Sequence, residues 1–178
     1  MKTTVTSVCA IVVLLAASVG LKAAEPIQAV KKGSPEFEKM KSLVGTWTGK
    51  TEMPGQGLVE LKVQYRLLAG GSVLEERCFQ GTPGEMVTMY YEQGDKLAMT
   101  HYCSLGNRPA MTLASSDENS LKFDFDSTCG IDPTKESHMH ALTIHFDNAD
   151  TITTTCKAIM EGKETEPHAT TLKRVKSS

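Results

Sequence analysis

The chain has 178 residues, 40% of them hydrophobic and 22% charged, with a formal net charge of −2. That is room for one domain with a genuine core. A near-neutral balance without a Lys/Arg stripe excludes a nucleic-acid binder, which needs clustered positive charge against phosphate. No long Pro/Ser/Gly linker, low-complexity tract or repeat of solenoid period divides the sequence.

The first 23 residues differ in kind. Lys2 supplies a small basic start, Val5 to Gly20 is almost continuously apolar, and small residues follow at Ser18, Gly20, Ala23 and Ala24. This is the plan of a secretory signal peptide cleaved after Ala23 or Gly20, and the run is short for the ~20 apolar residues of a membrane span. Residues 1–23 therefore predict a periplasmic or secreted protein with no membrane span after cleavage. Losing them removes two of the 19 basic residues, Lys2 and Lys22, and none of the 21 acidic ones, which leaves the mature chain at −4. The basic pairs Lys31-Lys32 and Lys173-Arg174 read as solvated ends. Four cysteines survive: Cys78, Cys103, Cys129 and Cys156. An even count in an exported protein admits one or two disulfides, with the pairing left open. There is no CxxC, so neither a thioredoxin-type redox site nor a zinc ribbon is indicated.

Residues 24–33 read as a flexible segment leading into a domain over 34–178. Ser34-Pro35-Glu36 supplies an N-cap, a proline at the first helical position and an acid in the first turn, so a short helix is expected over about 35–43. Its stripe of Phe37, Met40 and Val44 needs a surface to cover, and the open end of a barrel offers one.

From Leu43 onward the pattern changes to period two. In 58–68, Val59, Leu61, Val63, Tyr65 and Leu67 fall on one face while Glu60, Lys62, Gln64 and Arg66 fall on the other, the mark of a half-buried strand. Similar alternation runs through 45–53, 72–80, 85–92, 96–104, 109–115, 120–127, 138–147, 150–160 and 166–175. Turn signals such as Ala69-Gly70-Gly71, Gln93-Gly94-Asp95 and Glu161-Gly162-Lys163 separate these runs. One connection, Cys129 to Glu136, is longer. About ten strands joined mainly by hairpins make an all-β antiparallel meander, and closure into a barrel hides its edges. Short, uniform connections favour the barrel over a two-sheet sandwich.

Leu43-Val44-Gly45-Thr46-Trp47-Thr48-Gly49-Lys50 carries a resemblance. A G-x-W-x-G segment on a first strand, after a short helix, resembles the opening of calycin-type (lipocalin-like) barrels, including nitrobindin-like haem-binding barrels. Tyr65 to Glu76, with the strands Met86 to Tyr91 and Leu97 to Cys103, is similar to a bacterial lipocalin-like family of uncharacterised exported proteins. The similarity spans most of residues 36–175. It implies a closed or nearly closed barrel, and says little about activity because one fold hosts many functions. The nitrobindin-like resemblance further implies a proximal histidine near the final strand, where His168 stands directly after Pro167.

The inward phase carries polar residues. His101 and Cys103 share a face with Leu97 and Met99. His138 and His140 share one with Leu142, Ile144 and Phe146, and Cys156 follows Ile152 and Thr154. A buried imidazole needs a hydrogen bond, a metal or water. Trp47 is expected to plug the barrel floor, its indole N–H bonded to a carbonyl, while Gly45 and Gly49 let a strand bend or another backbone approach. The expected function is to bind a small, hydrophobic or amphipathic molecule in the lumen. Val63, Tyr65, Met99, Met111, Phe123 and Phe125 would form the wall beside Trp47, and His101 and His140 would orient a polar end. One alternative is a metal or haem site using His101, His138, His140 and Cys103, with Met86, Met89, Met99 and Met111 suiting copper on softness grounds. A second is an enzyme in which His101 works with Glu75 or Glu76, or activates Cys103. Asp124 and Asp126 read as solvated surface.

Overall fold

A computed structural model describes residues 32–53 and 55–176. The expected leader, 1–23, and most of the 24–33 segment lie outside the described residues. Helix α1 (Pro35–Lys41) forms where the capping signals stand. Ser34 Oγ accepts the Phe37 N–H at 3.1 Å, acids occupy the first turn and Lys39 and Lys41 the last. Phe37 and Met40 are buried, as is Leu43 just beyond the helix; Val44 is 41% exposed, so the apolar stripe ends on Leu43 instead.

The strands are β1 (Gly45–Met53), β2 (Gly57–Leu68), β3 (Val73–Cys78), β4 (Met86–Gln93), β5 (Lys96–Tyr102), β6 (Ala110–Ser116), β7 (Ser120–Phe125), β8 (His138–Asn148), β9 (Thr151–Met160), β10 (Lys163–Glu164) and β11 (His168–Arg174). β1 through β9 pair each with the next. β9 then pairs with β11, β11 closes on β1, and the two-residue β10 folds back on the end of β9. Ten antiparallel strands thus form a closed barrel with no free edge in the ring, which is how an all-antiparallel meander satisfies its outermost backbone groups.

The end beneath α1 is solidly filled. Trp47, Leu74, Tyr90, Met99, Met111, Phe123, Ile144 and Ile152 are completely buried there and pack with Phe37, Met40 and Leu43 of the helical segment. Trp47 plugs this floor as expected, its Nε1–H donating to the Leu43 carbonyl at 2.7 Å. Gly49 sits where β1 meets β11; a Cβ there would lie 2.3 Å from the Thr171 carbonyl oxygen, so only glycine permits the seam to close at this distance. Arg174 corrects the expectation of a solvated basic end. Its guanidinium lies 4.2 Å from the Trp47 ring centroid and donates to the carbonyls of Ser42 (2.7 Å) and Val44 (2.8 Å), tying the last strand to the turn before the first.

One irregularity matters for the site. The β8–β9 register runs His138 opposite Ile159 and Met139 opposite Ala158, then resumes at Ala141 opposite Lys157, leaving His140 without a partner. An extra residue in one strand is a β-bulge, and it breaks the inward–outward alternation at that point.

Candidate ligand cavity in the open half of the barrel

Inward side chains shrink along the strands away from α1. On β1 the series is Trp47, Gly49, Thr51; on β9 it is Ile152, Thr154, Cys156, Ala158; on β11, read backwards, Leu172 gives way to Thr170. Large residues meet and fill one half of the barrel, and small ones leave the other half hollow. The result is a cavity of about 320 Å³. Its wall comes from Thr51 and Met53 on β1, Leu61, Val63 and Tyr65 on β2, Met86 and Thr88 on β4, Met139 and Leu142 on β8, Thr154, Cys156 and Ala158 on β9, and Thr170 and Leu172 on β11. Phe79 and Leu105, from the β3–β4 and β5–β6 connections, complete it at the mouth. Leu105 is half exposed, and Phe79 holds a φ of +51°, a conformation costly for an aromatic residue and typical of backbone pinned at functional positions.

Glu52 and His168 line the cavity as exposed side chains, and three less exposed polar stations interrupt the apolar wall. His101 is buried, and its Nδ1 is 2.9 Å from Thr88 Oγ1 on the neighbouring strand. Burial pushes its pKa down to about 4, so the ring is neutral at ordinary pH. Glu76 reaches in from β3, where its Oε2 accepts the Tyr90 hydroxyl at 2.6 Å and the Tyr65 hydroxyl stands beside the same group. Burial raises this carboxyl above its ordinary value, with the two hydroxyls opposing the shift. The third station is His138, fully buried, with Nδ1 2.7 Å from the Glu136 carbonyl and Nε2 3.1 Å from His140 Nδ1. A carbonyl only accepts, so a neutral His138 ring has its proton on Nδ1 and accepts at Nε2 from His140 Nδ1–H.

The expected site residues divide by depth. Val63, Tyr65, His101, His138 and Cys103 line the cavity. Trp47, Met99, Met111 and Phe123 face inward but belong to the packed half, where they leave no space for a ligand. Phe125 lies against the imidazoles, its ring centroid 4.5 Å from that of His138 and 5.3 Å from that of His140, instead of against the cavity. The expectation that His140 shares the lumen does not hold: the bulge turns it into an outer cleft beside Asp124, Lys157 and Glu164. Met86 lines the cavity, whereas Met89 pairs with Glu75 in the register.

Glu75 faces outward and is clamped by Arg66 and Arg77, which hold its carboxyl below the ordinary range against the opposing effect of burial. It is no partner for His101, whose ring bonds Thr88. Among the described residues, no group of three or more His, Cys, Asp or Glu side chains is arranged to hold a metal ion. His168 does stand at the cavity, yet its Nε2 is 2.8 Å from Thr51 Oγ1 and 3.4 Å from Thr170 Oγ1. Threonines hold that ring, so it is not turned free toward a haem iron, and no chemistry is assigned to that group. Cys78, Cys103, Cys129 and Cys156 are all free thiols. Burial pushes Cys78 up to about 12 and Cys156 up to about 11, which keeps both protonated and poorly nucleophilic. Asp124 pairs with Lys122 on the surface, and Asp126 caps the short turn at Thr128.

Glu76 and Cys78 continue the inward phase of Leu74, so periodicity alone could have placed them in the lumen. Phe79 carries no such signal, because its position depends on a connection between strands.

No protein-family profile matches the chain, and no curated protein is similar to it. Among solved structures, the crystal structure of Rv2717c from M. tuberculosis is similar, with a TM-score of 0.49 and 16% sequence identity over 82% of this chain and 100% of that one. That likeness decides nothing beyond itself; the barrel is established by its own closed ring of strand pairings.

Proposed function

We propose that this protein is an exported binding protein that holds a small, largely apolar molecule in the open half of its barrel. The observation that carries the reading is the cavity: about 320 Å³, enclosed by Leu61, Val63, Met86, Met139 and Leu142, with His101 and Glu76 as isolated polar stations. Small-molecule sites have this make-up, an apolar wall with a few convergent polar groups, and volumes of roughly 300–1,000 Å³. The apolar leader sequence at 1–23 supports export to the periplasm or the medium.

Binding needs little rearrangement, since the wall consists mainly of strands closed into a ring, and among the described residues only Phe79, Cys103 and Leu105 line the cavity from connections between strands. Neutral His101 and the Glu76–Tyr90 pair would fix one polar end of the ligand, and the wall would take its apolar body.

Native mass spectrometry of the purified protein, paired with an absorption spectrum and metal analysis, tests the reading. A co-purifying organic molecule of a size to fit the cavity supports it. A Soret band or stoichiometric copper or zinc would overturn it.

A further inference from the structure

The floor of the cavity has a chemical preference. Glu76 lies one inward step below Cys78 and directly above Leu74, the first residue of the packed half on its strand. Its carboxyl accepts from Tyr90 Oη at 2.6 Å and lies beside Tyr65, its cross-strand partner. Both tyrosines are buried. Hydroxyls supply hydrogen bonds to a carboxylate but no countercharge. Among the described residues no lysine or arginine lines the cavity. The nearest arginines along the strands, Arg66 and Arg77, are turned to the outer face, where both bond Glu75. The sequence thus sets two adjacent glutamates in opposite environments, one saturated with cations outside and one without any inside. Glu76 is only partly exposed, toward the cavity, and a carboxylate with so little water and no cation is costly to the fold.

We propose that Glu76 is the head-group receptor of this cavity and that the ligand is a small amphipathic amine. Its ammonium meets the free side of the Glu76 carboxylate, and its hydrocarbon body lies along Val63, Leu142 and Met139. The inference rests on the lumen-binding reading and goes beyond it by naming the ligand's charge. A fatty acid of equal length would set carboxylate against carboxylate.

The test is calorimetric titration of the whole protein with octylamine, octan-1-ol and octanoate near neutral pH, repeated on Glu76→Gln. The charge-assisted contact predicts that the amine binds about tenfold more tightly than the alcohol, and the alcohol more tightly than octanoate. In Glu76→Gln the advantage of the amine over the alcohol should fall by about tenfold. Octanoate binding as tightly as the amine, or an amine-to-alcohol ratio unchanged by Glu76→Gln, would overturn the proposal. The order among the three probes on the unmodified protein decides the matter even if the variant fails to fold. Binding of the alcohol without a preference for the amine defeats this inference and leaves the lumen reading intact; no binding by any probe defeats both.

Discussion

The Arg174 guanidinium lies 4.2 Å from the ring centroid of Trp47 while bonding the carbonyls of Ser42 and Val44. One side chain from the last strand thereby covers the indole of the first and satisfies two carbonyls of the turn entering it. A planar, forked cation can do both at once, and a lysine cannot. Arg174→Lys should cost about 2 kcal/mol in urea unfolding, with Arg174→Ala costing at least as much. A change within about 0.5 kcal/mol for the lysine variant would mean that the clamp contributes nothing beyond surface charge.

Gly49 makes a sharper prediction about the same seam. Alanine there places a methyl 2.3 Å from the Thr171 carbonyl, and backbone on both sides must yield. Gly49→Ala should destabilise by about 2–3 kcal/mol in the same assay, because overpacking against fixed backbone forces the strands apart. Unchanged stability would show that β1 and β11 do not approach this closely.

His101 and Glu76 should give stability opposite dependences on pH. The folded pKa of His101 is depressed to about 4 from an ordinary 6.5, so the unfolded chain takes up its proton first. Stability from this group is whole above 6.5 and is lost as pH falls toward 4, by up to about 3 kcal/mol. His101→Gln should flatten thermal unfolding temperature across that window. An unchanged acid slope would show that the ring is solvated.

The folded pKa of Glu76 is raised, so its ionisation weakens the fold as pH climbs above the ordinary carboxylate range. Glu76→Gln should therefore raise the unfolding temperature by a few degrees at neutral pH and by less in acid. A variant less stable at neutral pH would mean that the ionised carboxylate is well compensated in the unliganded protein.

Cys78 and Cys156 offer a chemical probe of the lumen. Their elevated pKa values, about 12 and about 11, predict slow alkylation by iodoacetamide that accelerates with each rise in pH. Peptide mapping by mass spectrometry should show both thiols further protected by a bound lumen ligand. Rapid labelling at neutral pH, indifferent to ligand, would argue against enclosed thiols.

Much of this architecture was legible in the sequence because β-strands write their two faces as an alternation. Val59 to Leu67 marks β2 directly, and the glycine-rich turns mark its neighbours. The G-x-W-x-G segment foretold the plug and its hydrogen bond, because an indole N–H on a buried ring needs an acceptor. Alternation tells inward from outward but carries no depth. Met99 and Met111 share a phase with lumen residues, yet they sit where bulky neighbours meet, and only the register shows which side chains lie at one level. The sequence misled most at His140. A bulge adds one residue without changing composition, so His138, His140 and Leu142 look like one face until the pairing with β9 shows the skipped partner. Arg174 is hidden from the sequence for a related reason: a basic residue far from Trp47 along the chain looks solvated until the fold brings the first strand beside it.

The central claim is that the hollow half of the barrel, and not its packed half or outer cleft, is where a small molecule binds. Chemical-shift mapping of methyl-labelled protein with octan-1-ol tests it most directly. The account predicts shifts at the methyl groups of Leu61, Val63, Met86, Met139 and Leu142, with Leu74, Leu121 and Ile144 unmoved. Shifts confined to Ala141, Thr143 and Thr155 around the outer cleft, or none at saturating alcohol, would contradict it.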